Sequence, residues 1–157
     1  MAGRESSDEQ LEQLWSRMMT LFATARDEMF SILAAHGLTP PHGFALKMLH
    51  EHPMRMRDMA DRMVCDASYI TSVVDRLEEL GFAERRASTS DRRVKEIALT
   101  RSGEKVAHAI TRAMGRPPST IERLSNAELR TLVSLMAKVV PDDEVVVDAF
   151  RIPPPRV

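Results

Sequence analysis

With 157 residues and 43% hydrophobic content, the chain is long enough for one domain or two closely joined ones and apolar enough for a real core. Its net charge of -1 excludes nucleic-acid binding by bulk charge, so any such binding has to come from local clustering. The single Cys65 excludes an intramolecular disulfide framework, no run reaches the ~18 apolar residues of a membrane span, and the polar start MAGRESSDEQ lacks the apolar segment of a signal peptide; the expectation is a soluble, cytoplasmic protein with no membrane partner.

Aromatic residues make up only 4%, so Leu, Val, Ala and the 11 Met have to fill most of the interior, which will be soft. Residues 1–7 are predicted to be disordered, with a long helix from about Asp8 to residue 35. Leu11, Trp15, Met18, Phe22, Ala25, Met29 and Ile32 alternate steps of four and three, and Leu14, Leu21 and Leu33 widen this stripe. A helix of about 25 residues is roughly 38 Å long, more than one small domain usually covers. Part of it is therefore expected to pack on a second subunit.

The segment HGLTPPHG breaks the pattern with two Gly and two Pro and reads as a connection. Thr39, Pro40 and Pro41 open a new helix that runs through Phe44, Leu46, Met48 and Leu49 and stops at Pro53. A short helix follows, with Met56, Met59, Ala60 and Met63 on its buried side, and Val64 and Cys65 link it tightly to the stretch from Asp66 to Gly81. There Ile70, Val73, Val74, Leu77 and Leu80 fall on one side of a helix, and Ser68, Thr71, Ser72, Asp75 and Arg76 on the other. Asp66 is the expected N-cap and Gly81 the left-handed stop. A plain solvated face is denser in Lys and Glu; this one has hydroxyls at its front. Two short helices joined by a tight turn are the outline of a helix-turn-helix, with Val64 near the place where the turn usually has a Gly.

Phe82 to Arg86 reads as a short strand, ASTSDRR as a polar turn, and Val94, Ile97 and Leu99 as a returning strand before Thr100. A hairpin directly after such a helix is a wing. Between residues 85 and 96 it carries five cations, Arg85, Arg86, Arg92, Arg93 and Lys95, against only Asp91 and Glu96. Extended Arg side chains at a hairpin tip suit a narrow minor groove, where the potential of both phosphate strands is focused.

Residues 54–103 closely resemble the winged helix-turn-helix of the MarR family of bacterial transcription regulators. The matching segments are DMADRM, DASYITSVVDRLEELGFAERR and SDRRVKEIALTRSG, and the wing pattern of the family is present as Asp91, Arg93, Leu99, Thr100 and Gly103. The resemblance implies a mainly α fold with a small β-hairpin wing, in which a winged helix-turn-helix is joined to a helical dimerisation bundle. It implies that Ser68, Thr71 and Ser72 meet bases or phosphates in the major groove, with Arg76 on a phosphate and Tyr69 a further candidate. It implies that Arg93 reaches the minor groove or nearby phosphates while Asp91 orients it through a charge-assisted bond, Arg86 and Arg92 completing the set. The alternative is that Asp91 and Arg93 only brace the hairpin, and that Arg92 is the inserted residue. Relatives often have Arg or Lys where Ser72 stands, which shifts affinity from the helix to the wing.

The remaining chain reads as two more helices. Thr100 caps one that continues through Val106, Ala107, Ile110 and Met114 to Gly115, and Ser125 with Glu128 forms a capping box ahead of Leu129, Leu132, Val133, Met136, Val139 and Val140. The expected division is a winged helix-turn-helix over 41–100 and a helical dimerisation region from 8–35 and 101–140, with 151–157 disordered. In the family the first and last helices of two chains interlock, which implies a homodimer whose recognition helices lie roughly 34 Å apart on a pseudo-palindromic site.

Three further sites can be weighed. His36, His42, His50 and His52 are close in sequence but match no tight ligand motif, so no metal and no cofactor is expected. Cys65 is better suited to a small buried apolar role than to oxidant sensing. A small-molecule effector pocket is usual in the family, and Trp15, Phe22, His36, His42 and Phe44 are the residues here that can line one. No catalytic constellation is visible, so an enzyme is not expected. The reading is a dimeric regulator of double-stranded DNA, a ligand-responsive repressor in type; the alternative is a winged-helix module for protein contacts without sequence-specific DNA binding.

Overall fold

A computed structural model of the chain describes residues 2–88 and 93–143, and side chains from residue 7 onward. Two expected wing contacts, Asp91 and Arg92, and the tail 151–157 lie outside the described residues. The elements are helices α1 (Ala2–Ala35), α2 (Pro40–Glu51), α3 (Met56–Met63) and α4 (Ala67–Glu79), strands β1 (Ala83–Ala87) and β2 (Lys95–Leu99), helix α5 (Arg101–Met114), a short 3-10 turn (Ser119–Arg123) and helix α6 (Asn126–Val139). This is the mainly helical, winged architecture expected. Phe30–Gly115 forms one compact unit; the described residues up to Met29 and from 116 to 143 belong to another.

The start of α1 differs from expectation. Residues 2–7 continue the helix, which reaches 34 residues, about 51 Å. No Pro interrupts this stretch, and Ala2, Arg4 and Glu5 are good helix formers.

In the winged unit, α2 packs on α5, α4 and β2, and α3 packs on α4. Leu33, Leu46, Met59, Ile70, Val74, Leu77 and Ile110 are the large side chains removed almost entirely from solvent. The stripe read from α4 is the buried one, since Ile70, Val73, Val74 and Leu77 all face this core. β1 and β2 pair antiparallel with Ala83 opposite Leu99 and Arg86 opposite Glu96. A third partner escaped the sequence reading. Met54, just before α3, exchanges two backbone bonds with Ile97, at 3.1 and 2.8 Å, and so anchors the wing to the entrance of the helix-turn-helix. The unit is also larger than 41–100. Val106, Ala107 and Ile110 turn one face of α5 into the core beside α2, so α5 belongs to the winged unit and not to the helical region.

Local chemistry sets the element ends. Gly81 adopts φ +71°, and the amides of Gly81 and Phe82 return to the carbonyls of Glu78 and Leu77 at 2.9 and 2.8 Å, a complete left-handed stop for α4. Thr100 then ties three segments together. Its hydroxyl donates to the Gly81 carbonyl at 2.6 Å and accepts from the Gly103 amide at 3.0 Å, while its own amide donates to the Phe82 carbonyl at 3.1 Å. Gly103 is glycine because a β-carbon there would overlap the Phe82 carbonyl oxygen. The Leu-Thr-x-x-Gly stretch of the wing pattern is thus the joint between α4, the hairpin and α5.

The second unit looks different. Glu28 accepts from the amide of Ser119 at 3.2 Å and also pairs with its hydroxyl at 2.5 Å, tying α1 to the 3-10 turn. Ser125 and Glu128 form the expected capping box of α6. The Glu128 carboxyl is held below the usual carboxylate range, chiefly by its hydrogen bond with the Ser125 hydroxyl and then by that with the Ser125 amide. Yet every residue of α6 is exposed, and so are Leu11, Leu14, Trp15, Met19 and Phe22 along α1.

Candidate nucleic-acid interface

The front of α4 is built by the helix period. With Ile70, Val73, Val74 and Leu77 fixed inward, Ser68, Tyr69, Thr71 and Ser72 are forced outward, and all four are exposed. Thr71 donates its hydroxyl to the Ala67 carbonyl at 2.8 Å, and Ser72 to the Ser68 carbonyl at 3.3 Å. Asp66 has the extended backbone of an N-cap, φ -68° and ψ 147°, but its side chain makes no capping bond, so the capping role expected of it is corrected. Its carboxylate stays exposed to water. At the turn, Val64 takes the left-handed conformation at φ 52°, a strained state for a β-branched residue that a glycine would adopt without steric strain.

Charge on the hairpin is arranged more tightly than the residue count suggests. Arg85 reaches back to α4, where its guanidinium contacts Asp75 at 2.6 Å and also pairs with Glu78, whose carboxylate accepts the Arg85 amide at 2.8 Å. Arg85 is therefore a brace between β1 and the recognition-type helix, a role the sequence reading missed. The signal was present, since Asp75 and Glu78 are one helical turn apart and share a face. Arg86 pairs with the mostly buried Glu96 across the strand register at 3.3 Å. Arg76 pairs with Glu79 at 3.0 Å, and its guanidinium lies beside Gly37. Arg93 and Lys95 are exposed on the returning side of the hairpin.

The residues expected to meet an effector have separate surroundings. Trp15 and Phe22 are 60% and 61% exposed. His36 donates from Nδ1 to the Ile32 carbonyl at 2.9 Å, closing the end of α1. His42 accepts at Nδ1 from the Thr39 amide at 3.1 Å and lies 2.7 Å from the Thr39 hydroxyl, which makes it part of the cap of α2. Burial first, and then the positive charge of Arg76, pull its pKa below the ordinary histidine value against the opposing bond to Thr39. Phe44 is half-buried. A cleft of about 190 Å³ does occur in the winged unit, but it is lined by Met54, Arg55, Asp58, Arg62 and Glu96 among others, and by none of these five.

His50 lies 3.0 Å from Glu104, with the His108 ring edge-on at 6.1 Å, and the backbone amide of His52 returns to the Met48 carbonyl at the end of α2. Among the described residues no group of three or more His, Cys, Asp or Glu could hold a metal ion. The Cys65 thiol is pushed up, first by burial and then by the charge of Asp66. No helix among the described residues is long and apolar enough to cross a membrane.

The sequence profile of the MarR family matches residues 38–95, which run from the start of α2 into the returning strand. An HTH-type transcriptional regulator of Bacillus subtilis, YpoP, is 31% identical over 121 residues, covering 76% of this chain and 85% of its own length. The chain belongs to the MarR family. Another relative, the HTH-type transcriptional repressor MdtR of B. subtilis, is 31% identical over 101 residues, and the match spans 64% of this chain and 65% of MdtR. Among solved structures, the YusO protein of B. subtilis superposes with a TM-score of 0.70 at 25% identity, covering 86% of this chain and 97% of that one. A mutant of S. aureus MepR bound to an oligodeoxyribonucleotide superposes with a TM-score of 0.68 at 22% identity, covering 82% and 94%. The winged helix-turn-helix reading of the fold is therefore correct.

Proposed function

We propose that this MarR-family chain is a transcriptional regulator that binds double-stranded DNA as a homodimer, a repressor in type, released by a small-molecule effector. The observation that carries the DNA-binding part is the face of α4: exposed hydroxyls at Ser68, Thr71 and Ser72, held outward by a closed core and braced to the wing by Arg85. In this reading α4 enters the major groove, and the wing cations with Arg93 foremost meet the minor groove or its phosphates. The relative MdtR is named a repressor and the MepR structure includes bound DNA, which supports the same reading here. The homodimer rests on the uncovered apolar residues of α1 and α6. A pseudo-palindromic site follows from the two-fold symmetry of such a dimer.

The test is binding of labelled genomic fragments at increasing salt. A dimer neutralising several phosphates loses affinity steeply as salt rises. Arg93→Ala is expected to weaken binding to all sequences alike and to lower the salt slope by about one. A winged module used only for protein contacts would show neither behaviour.

A further inference from the structure

We infer that α4 reads the exocyclic amines of adenine or cytosine, through Thr71 and Ser72 acting as hydrogen-bond acceptors, and that neither hydroxyl donates to guanine. The inference rests on the proposed placement of α4 in the major groove and specifies which bases it selects there.

A hydroxyl has one proton to donate and two lone pairs to accept with. Thr71 has its proton on the Ala67 carbonyl at 2.8 Å, and Ser72 has its proton on the Ser68 carbonyl at 3.3 Å. Both oxygens turn toward solvent as acceptors. In the major groove guanine offers only the acceptors N7 and O6, whereas the donors are N6 of adenine and N4 of cytosine. Donating to guanine would require each hydroxyl to give up its bond within the helix.

The charged groups of the face do not replace that missing donor. The guanine readers of major-groove helices are mainly Arg and Lys. Arg76 is the one such residue in α4, and it is paired with Glu79 at 3.0 Å. Asp75 can only accept, and Arg85 already occupies it at 2.6 Å. Ser68 lies in the first turn, where a hydroxyl beside the uncapped amides suits a phosphate oxygen better than a base edge. Tyr69, 47% exposed, borders the face with a phenol.

The experiment selects bound duplexes from a randomised pool, and then substitutes single bases in the winning site. Replacing an adenine in the two major-groove segments by purine, which lacks the amine, is expected to weaken binding about fivefold, the worth of one hydrogen bond. Replacing guanine by the deaza analogue with carbon at N7 is expected to change nothing there. The double variant Thr71→Val with Ser72→Ala removes both acceptors; it should bind the amine-free site and the parent site equally, with an unchanged thermal midpoint. If deazaguanine weakens binding strongly while purine does not, or if the double variant keeps the amine preference, the inference is overturned and DNA binding stands. If no duplex binds in a salt-dependent way, the reading beneath it fails as well.

Discussion

The two halves of this chain treat the same kind of residue in opposite ways. Between Phe30 and Gly115, apolar residues at helical spacing close a core, and Leu46, Ile70 and Leu77 are completely buried. Outside that span, Met29 is the one buried residue among those described, and α6 presents Leu129, Leu132, Val133, Met136 and Val139 to water. Burying a Leu or Val is worth about 1.5–3 kcal/mol, so a helix that leaves these five and Leu135 uncovered gains little from its own chain. A winged unit that is complete and a helical unit that is not imply that the two need different partners to become stable. The first needs only itself; the second, in the proposed dimer, needs another copy.

The largest test breaks the complete half. Gly103→Ala puts a β-carbon into the Phe82 carbonyl and should cost more than about 4 kcal/mol, visible as loss of cooperative unfolding in a denaturant titration. Next, the incomplete half can be broken without touching the other. Leu132→Asp in α6 should yield monomers in sedimentation, with amide protection of Ile70 and Leu77 retained, while DNA affinity falls about 10²- to 10⁴-fold because the two half-sites are no longer linked. Loss of the winged unit in that variant would refute the comparison.

Smaller effects sharpen it. Val64→Gly removes a left-handed valine and should stabilise the winged unit by roughly 0.5–1 kcal/mol after the entropy of the new glycine is counted, read as a higher denaturation midpoint. The smallest effect is a pH dependence at His42. Its pKa is depressed in the folded state, so the unfolded chain binds more protons between the two values. Stability is therefore complete above the ordinary histidine value of about 6.5, and is lost as pH falls through the depressed folded value. His42→Gln keeps an acceptor for Thr39 and cannot titrate; its thermal midpoint should change less than that of the parent as pH falls.

How much the sequence disclosed depended on how local the chemistry was. Thr39 before two prolines, Gly81, Thr100 and the pair Ser125 and Glu128 each placed a helix end within a residue or so, because such caps are decided within one turn of chain. Asp66 misled, since an acidic residue at the right place need not turn its carboxylate to the amides. The pairing of Met54 with Ile97 left no periodic trace, being one residue pair 43 positions apart. Arg85 shows the same limit for charge: a count of cations on the hairpin could not tell that this one is committed to Asp75 and Glu78 on another element. The apolar faces of α5 and α6 read alike, and only packing separates the face that is covered from the one that is not.

The joint at Thr100 has a consequence for control. One hydroxyl holds the last turn of α4 and the first turn of α5, and its backbone amide holds the residue between α4 and the hairpin. There is no slack in such a linkage, no spare residue to absorb a tilt. In the proposed regulator a push on α5 would reach α4 and the wing together.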